Sequence, residues 1–485
     1  MRVHPTALSA LTAALLGAVS ALTAQSKAAD VTTAPKLARA PSVKLPPVVT
    51  RTLPNGLRLA IVQRHELPLV DFALVVGTGS EADPATKAGL ASITAAMLSE
   101  GAGTRSALDI SDQEAYLGVQ LSTQSGWDQS MVFMHGPTAQ LDSALALFAD
   151  VALRPSFPAA DFARLKQNRL TQLIQIKDRG PVIADRAYAS ILYGAEHPYG
   201  HAIAGTEASV NGITGDDARH FYESYYRPNN ATLLIVGDVR PDDIERRISA
   251  RFAAWPRAVV PATHQAPLPK SAGATTIYVI DKPGAPQSSF RIGAIGVPRS
   301  TTDYFALQVM NTILGGAFTS RLNNDLREVH GYTYGAGSRF DMRRDAGPFT
   351  ASAEIVATKT DSALTQFMKE LSSIRDTVPA AELAKAKSYL ELQLPSRFET
   401  TTGIAFQLVP LAMYKLPLNF YDSYTQKVER VSQRDVQRVA RQHVTPDKFA
   451  IVIVGDRKLI EPKLRALNVG PVEVRALDGS PIVVP

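Results

Sequence analysis

The chain has 485 residues, of which 45% are hydrophobic and 20% are charged, a composition typical of a globular protein with two to four domains. The formal net charge of +6 is spread along the chain without a Lys/Arg run, which argues against binding to nucleic acid or to an anionic membrane. The chain contains no cysteine, which excludes a disulfide framework and a lipid anchor on cysteine.

The N-terminal residues are typical of a secretory signal peptide. Arg2 supplies a positive charge, residues 7–24 form an apolar segment rich in alanine, and residues 26–28 provide a cleavage signal of small residues. A retained membrane anchor is the alternative, but the Ala, Ser, Thr and Gly content favours cleavage. We therefore expect a bacterial periplasmic protein with a signal peptide over residues 1–28 and a flexible lead-in over residues 29–47.

Strands and helices alternate along the next two hundred residues. Apolar runs bounded by turn residues predict strands, and apolar residues at helical spacing predict helices. The predicted strands are 57–63, 70–76, 119–125, 130–135 and 231–236. The predicted helices are 85–99, 111–117, 141–153 and 158–177. Together they predict an N-terminal domain over residues 48–255.

Short sequence matches indicate that this plan occurs twice. The segment LIVGD at 234–238 recurs as VIVGD at 452–456, DSAL at 142–145 recurs at 361–364, and PAA at 158–160 recurs at 379–381. Three matches in the same order at nearly equal offsets predict duplication of a domain of about 220 residues. We expect a Pro-rich linker over 256–273, a second domain over 274–470 and a tail over 471–485. The predicted class is α+β, with two homologous sandwich halves.

A Gly-rich stretch at residues 314–338 is the strongest candidate for a functional site. Thr319 or Ser320 can cap a helix there, and Gly331 can end it. Arg327 falls in its last turn, and Tyr334 begins a predicted strand over 334–340. A guanidinium and a phenol at one sheet rim can bind a peptide carbonyl and stabilise its oxyanion. The alternative is an Arg that caps a helix and a Tyr half buried in a strand.

Two segments resemble the pitrilysin/insulinase metallopeptidase family. Residues 314–338 resemble its C-terminal signature, a Gly-rich loop, Ser-Arg-Leu, and then an Arg and a Tyr seven residues apart. Residues 89–104 resemble the family in the flanks of its zinc helix, with GLA before and ML then Gly-x-Gly-Thr after. The resemblance covers about residues 50–469. It implies a pitrilysin-like fold, as in mitochondrial processing peptidase, whose two halves close like a clamshell around a chamber.

The resemblance also implies where zinc would bind, and this chain lacks the ligands. Active members carry H-x-x-E-H on the first long helix and a Glu on a later helix. The matching positions here are Ser92, Ala95 and Ala96, followed by Gln175 on the later helix. A hydroxyl, two methyl groups and a neutral amide cannot form a catalytic zinc site. We therefore expect no metal in this chain.

One pair of histidines has the spacing of metal ligands. His197 and His201 occur in His-Pro-Tyr-Gly-His, where Pro198 and Gly200 predict a loop. A similar loop occurs in the family without binding metal. We expect these two histidines not to bind zinc.

Some family members are two-subunit enzymes, and this chain resembles the subunit that lacks the zinc motif. The resemblance implies a heterodimer, inactive as this chain alone, in which a homologous partner binds zinc and Arg327 and Tyr334 stabilise the oxyanion. It also implies that an extended peptide adds to an edge strand at Gln120, Leu121, Ser122 and Thr123, although the same alternation is typical of any half-buried strand.

Two other functions remain open from the sequence. One is a non-catalytic peptide-binding or scaffolding protein of the cell envelope. The other is an independent zinc peptidase, which would require a different alignment of the 89–101 helix.

Overall fold

The computed structural model describes residues 46–263 and 273–482. The predicted signal peptide, nearly all of the predicted lead-in and the middle of the predicted linker lie outside these residues. No helix within the two ranges has both the length and the apolar character that a membrane span requires.

The first half builds a six-stranded sheet. Its strands are β1 (Val48–Thr52), β2 (Arg58–Gln63), β3 (Leu69–Val76), β6 (Gln120–Ser125), β7 (Ser130–Pro137) and β8 (Ala231–Gly237), and a small hairpin is formed by β4 (Gly101–Ala102) and β5 (Arg105–Ser106). The order across the sheet is β1-β2-β8-β3-β7-β6. Strands β2 and β8 run parallel, and all other neighbours run antiparallel.

Eight α-helices accompany this sheet in the described residues. They are α1 (Leu90–Met97), α2 (Ala107–Leu117), α3 (Leu141–Leu153), α4 (Ala159–Ile176), α5 (Gly180–Tyr193), α6 (Glu207–Gly212), α7 (Gly215–Tyr225) and α8 (Pro241–Phe252). Helices α3 and α8 pack on one face of the sheet, and α1 lies between β6 and the helices α4 and α7.

The second half builds a sheet from β9 (Thr276–Asp281), β10 (Gln287–Ile295), β11 (Ala336–Phe340), β12 (Pro348–Val356), β13 (Ala450–Gly455) and β14 (Val472–Arg475). Its order is β11-β12-β10-β13-β9-β14. Its described α-helices are α9 (Tyr304–Asn311), α10 (Arg321–Asn323), α11 (Thr360–Ser373), α12 (Ala380–Leu392), α13 (Thr401–Met413), α14 (Tyr424–Glu429), α15 (Gln433–His443) and α16 (Arg457–Ala466). Two π-helical turns, Thr312–Gly316 and Asn324–Val329, flank α10.

The two sheets share one topology. The order β2-β8-β3-β7-β6 in the first corresponds to β9-β13-β10-β12-β11 in the second, and in each the first two strands run parallel. Only the sixth strand differs, since β1 precedes its half and runs antiparallel to its neighbour whereas β14 follows its half and runs parallel. The predicted α+β fold with two homologous halves is confirmed.

The halves exchange one helix each. Helix α13 of the second half packs on β3 and β8, and helix α5 of the first half packs on β10 and β13. Side chains along β3 alternate between the two faces of the sheet. Phe72 and Leu74 pack in the core of the first half. Ala73 and Val75 face the other way and belong to the buried cluster that contains Leu408 of α13. Both faces of each sheet are therefore buried, one by its own half and the other by an exchanged helix.

Polar contacts fix the exchanged helices α5 and α13 in place. The buried Tyr188 hydroxyl of α5 donates to the Phe349 carbonyl at 2.6 Å. Gly293 leaves the space, since a Cβ there would lie 2.6 Å from the Tyr188 hydroxyl and 2.1 Å from the Phe349 carbonyl. At α13, the hydroxyl of Thr402 donates to the fully buried Asp71 at 2.8 Å. These contacts tie each exchanged helix to the sheet of the opposite half.

The predicted helix 85–99 is wrong in its length. Residues Ala85–Lys87 form a 3₁₀ turn, and α1 begins only after Gly89, whose φ of +100° is left-handed. This conformation breaks the helix where the sequence pattern continues through it. The predicted helix 111–117 begins earlier, at Ala107, because Ser106 and Asp109 form a capping box.

The region after Ser320 differs from the prediction of a regular helix and a strand that starts at Tyr334. Ser320 lies at the N-terminus as predicted but makes no capping hydrogen bond through its side chain. One α-helical turn continues into a π-helical turn, and Gly331 ends it at φ +63° as predicted. The strand begins at Ala336, so Tyr334 lies in the preceding loop.

Candidate functional site

Helix α1 carries the positions where the family resemblance places zinc. The buried carboxylate of Asp83 accepts hydrogen bonds from the backbone N–H groups of Gly89 at 2.9 Å and Ala91 at 2.8 Å, and so anchors the start of the helix. Burial raises the pKa of Asp83 to about 7 against these hydrogen bonds. Ser92 and Ala96 are half-buried along the helix, whereas Ala95 is fully buried.

Arg169 of α4 makes a side-chain hydrogen bond to α1. Its Nη2 donates to the Ser92 hydroxyl at 3.1 Å, and its Nη1 donates to the carbonyl of Ala204 at 3.2 Å. Gln175, the predicted match to the third zinc ligand, is exposed further along α4 and is not brought to Ser92. A fixed guanidinium therefore lies beside the positions that would hold a metal cation.

These residues do not fit a zinc ion. Ser92 offers a hydroxyl that already accepts a hydrogen bond from Arg169, and the alanines offer no lone pair. Across residues 46–263 and 273–482, no cluster of His, Asp and Glu has a composition and geometry that could bind a metal. The position is positively charged instead, because the guanidinium of Arg169 is the only charged group that contacts Ser92 in the described structure.

Strand β6 is the outer strand of the first sheet and packs against α1. Gln120 and Ser122 are exposed, and Leu121 and Thr123 are half-buried. The carboxylate of Glu114 accepts a hydrogen bond from the Leu121 N–H at 3.1 Å, and burial raises its pKa. Backbone groups alternate along a strand, so Thr123 also points its N–H and C=O away from β7. Beyond the Glu114 contact, no hydrogen bond reaches the outer edge of β6 at Thr123 within the described residues.

The outer strand of the second sheet is covered instead. Asn311 donates to the Ser338 carbonyl at 2.9 Å, and Asn323 accepts from the Ala336 N–H at 3.1 Å. The Gly-rich stretch lies directly on β11, because a Cβ at Gly315 would come within 2.3 Å of the Ser338 nitrogen. The two equivalent edges thus differ: in the described residues the edge of β11 is contacted at several points, whereas the edge of β6 is contacted through the Leu121 N–H.

Arg327 and Tyr334 lie in the π-helical turn and in the loop before β11. The Arg327 guanidinium lies 4.6 Å from the centre of the Phe318 ring, and its Nε is 3.4 Å from a carboxylate oxygen of Glu328. Tyr334 is 91% exposed, with its backbone in a turn held by Thr333. No hydrogen bond joins the two side chains within the described residues, and both are accessible from outside.

The predicted loop at His197 and His201 contacts the second half through Tyr199, whose hydroxyl accepts from the Asp345 N–H at 3.4 Å and whose ring centre lies 4.6 Å from the Arg343 guanidinium. The ring nitrogen Nδ1 of His197 accepts from the Tyr199 N–H at 3.0 Å, and Nε2 of His201 lies 3.0 Å from the Ala195 carbonyl. The Tyr199 hydroxyl donates to the buried Asp128 at 2.6 Å. These contacts give the loop a structural role in the fold.

Asp128 collects contacts from the second half as well. Its second carboxylate oxygen accepts from the backbone N–H of Arg344 at 2.7 Å and from the Tyr414 hydroxyl at 3.0 Å. The guanidinium of Arg343 lies 4.1 Å from the ring centre of Trp127. The turn between β6 and β7 is therefore part of the junction between the halves.

Arg169 was not identified from the sequence. It lies in a helix whose pattern is that of an ordinary amphipathic surface, and its contact with Ser92 spans 77 residues. One sequence signal was available: Arg169 lies on the long helix on which the resemblance places the third zinc ligand, a glutamate.

Comparisons with known proteins agree with this fold. Residues 58–206 match the family model described as insulinase (peptidase family M16), and residues 212–390 match the model described as peptidase M16 inactive domain. An uncharacterized zinc protease of Mycobacterium leprae is 29% identical over 431 residues, covering 87% of this chain and 95% of that protein.

Solved structures show the same architecture. A peptidase M16 inactive domain from Pseudomonas fluorescens matches with a TM-score of 0.78 and 28% identity, covering 84% of this chain and 98% of that one. A protease from Helicobacter pylori matches with a TM-score of 0.76 and 21% identity, covering 85% and 100% of the two chains. The second likeness concerns the fold alone.

Proposed function

The chain belongs to the insulinase (M16) peptidase family, and from this premise we propose that it is the zinc-free subunit of a two-subunit periplasmic zinc metallopeptidase. The observation that supports the proposal is the set of residues at the positions matched to the metal ligands: α1 carries Ser92, Ala95 and Ala96, and Arg169 donates to Ser92. A subunit built in this way depends on a homologous partner for Zn²⁺ and for the general base.

Its own contribution is to bind the peptide and to stabilise charge. The open edge of β6 supports binding of an extended peptide through backbone hydrogen bonds. The accessible guanidinium of Arg327 and phenol of Tyr334 support a role as donors to the oxyanion that develops at the attacked carbonyl. In the heterodimer these donors face the zinc of the partner.

The test uses the full mature chain and a zinc-bearing M16 homologue encoded beside its gene. Each protein is assayed alone and mixed in equal amounts against a library of fluorogenic peptides, and complex formation is measured by size-exclusion chromatography with light scattering. We expect a stable complex and activity that requires both chains. Activity of this chain alone, or full activity of the homologue without it, contradicts the proposal.

A second candidate function is supported by the surroundings of Arg327 and Tyr334. Arg327 is already engaged by Phe318 and Glu328, and the Tyr334 phenol points into solvent without a partner in the described structure. This arrangement is compatible with a non-catalytic peptide-binding or scaffolding protein of the cell envelope. Such a protein would bind peptides or an envelope assembly without any zinc-bearing homologue, and pull-down from a periplasmic extract followed by a peptidase assay separates the two functions.

A further inference from the structure

We propose that Arg169, together with Ser92, forms a binding site for a carboxylate of the bound peptide. The site lies at the position where the zinc motif of the family would hold its metal. The inference rests on the proposed function because it takes a peptide as the ligand. The chemical class is a carboxylate, from either the C-terminus of the peptide or an Asp or Glu side chain.

The geometry leaves Arg169 with unused donors. A guanidinium has five N–H groups, and two of them are directed to the Ser92 hydroxyl and the Ala204 carbonyl. These two contacts fix the plane of the group between α1 and the loop after α5, so little side-chain entropy remains to be lost on binding. The side chain is half-buried, and its other N–H groups make no hydrogen bond within the described residues.

The charge of Arg169 has no counter-ion in the described structure. Acids on the adjoining elements are already paired: Glu207 with Lys177 at 2.6 Å, Asp217 with Lys87 at 2.5 Å, and Glu100 with Arg164. Burial lowers the pKa of Arg169 with no carboxylate to oppose it. A partly desolvated cation without an anion is unfavourable, and a carboxylate ligand would relieve this cost.

The position of the site favours a peptide carboxylate. Helix α1 packs against β6, the strand with the open outer edge, so a peptide added to β6 runs beside α1. A guanidinium fork matches a carboxylate in a bidentate arrangement, and the Ser92 hydroxyl lies next to it as a further donor. Backbone pairing with β6 would set the peptide direction, and Arg169 would set its register.

Arg186 provides a matched control. Its Nη2 donates to the carbonyl of Gly205 at 3.2 Å, the residue next to the one held by Arg169. It is also half-buried, and burial lowers its pKa, but unlike Arg169 it has a nearby carboxylate, Glu207, that opposes this shift. Arg186→Gln therefore removes a hydrogen bond to the same loop but leaves the cation of Arg169 in place.

The test measures direct binding by isothermal titration calorimetry to the full mature chain. The probes are three acetylated peptides of about nine neutral residues: one with a free C-terminal carboxylate, one with a C-terminal amide, and one amidated peptide with a central Glu. We expect one or both acidic peptides to bind about tenfold or more tightly than the neutral amide, and the comparison identifies the source of the carboxylate. Arg169→Gln removes this preference, and Arg186→Gln keeps it.

Three results overturn the inference: equal binding of all three peptides by the unaltered chain, an undiminished preference in Arg169→Gln, or equal loss of preference in both variants. Circular dichroism and a thermal unfolding midpoint verify the fold of each variant, and the comparison among peptides on the unaltered chain needs no variant. Binding by the isolated chain does not depend on a zinc-bearing partner. Failure here and failure of the two-subunit model are therefore distinguishable.

Discussion

The guanidinium of Arg169 lies 3.1 Å from the hydroxyl of Ser92, the residue that stands where the zinc motif begins with histidine. Arg169 thus brings a positive charge to the position that the family resemblance matches to a zinc ligand. A bound dication and a guanidinium a few ångströms apart would repel each other strongly in a partly buried site. Arg169 therefore places a positive charge where the family resemblance would place a metal cation.

Restoring the motif alone will not restore zinc binding. In the triple variant Ser92→His, Ala95→Glu and Ala96→His, Arg169 still opposes the metal, and the new glutamate enters a fully buried position. We expect less than about one-tenth of an equivalent of zinc per chain after dialysis, measured by plasma mass spectrometry. Adding Arg169→Glu should raise the zinc content. One equivalent of zinc in the triple variant with Arg169 intact would contradict this view.

Removing the proposed oxyanion donors should slow the heterodimer. We expect Arg327→Ala and Tyr334→Phe each to lower kcat on the order of 10²-fold with a smaller change in KM, because such donors act mainly in the transition state. Arg339→Ala, at an exposed arginine on the following strand, serves as the control and should leave kcat unchanged. Unaltered turnover in both variants would exclude the catalytic role.

A proline at the edge of β6 should weaken peptide binding without unfolding the sheet. Thr123→Pro removes an N–H that points away from β7, and edge strands tolerate proline. We expect the affinity for the peptide that binds best to fall by about 3- to 10-fold, the equivalent of one hydrogen bond. Thr123→Val keeps the N–H and the shape and is the matched control. Equal affinity of Thr123→Pro and Thr123→Val would place the peptide elsewhere.

The junction at Gly293 should be sensitive to a single methyl group. In Gly293→Ala the Cβ would meet the Phe349 carbonyl and the Tyr188 hydroxyl, so α5 or β12 must shift. We expect a loss of about 1–3 kcal/mol in the free energy of unfolding, measured by urea denaturation. The control is Gly273→Ala, where no atom lies within 4 Å of the added Cβ. A Gly293→Ala variant as stable as this control would contradict the assigned contact.

Stability should fall as pH rises through neutrality. Glu81 accepts from the Gly79 N–H at 2.9 Å, and burial raises its pKa from 4.5 to about 8 against the nearby charge of Arg344. The folded chain therefore binds this proton more tightly, and unfolding between these pH values releases it. We expect the free energy of unfolding to decrease from about pH 5 to about pH 8 and then to level off.

Glu81→Gln tests the origin of this dependence. The variant should reduce the slope of stability against pH between about pH 5 and about pH 8 but not remove it, because the raised pKa of Asp83 acts in the same direction. Urea denaturation at several pH values measures both slopes. An identical slope in the variant would assign the effect to other groups.

Much of the architecture could be predicted from the sequence because it depends on local patterns. The apolar runs that become β3 and β8 and the repeated segments near Asp238 and Asp456 predicted two α+β halves, and the shared strand order agrees. Gly331 was correctly predicted to end its helical segment, since a left-handed residue there favours glycine.

The remaining features depend on contacts distant in sequence. The start of α1 is set by Asp83 and by the left-handed Gly89, which a periodic apolar pattern does not reveal. The exchange of α5 and α13 is equally hidden, because an apolar helix face does not specify which sheet it will cover. The contact of Arg169 with Ser92 arises only once α1 and α4 lie side by side.

The reciprocal helices α5 and α13 have a consequence for the history of the chain. A single ancestral unit of this kind, before duplication, would have carried a helix with no sheet of its own to cover and a sheet with one bare apolar face. In a symmetric dimer of two identical copies, the helix of each copy would have covered the bare sheet face of the other. Fusion into one polypeptide would then have made a symmetric pair permanent and freed its two members to diverge, one keeping an open strand edge and the other closing it.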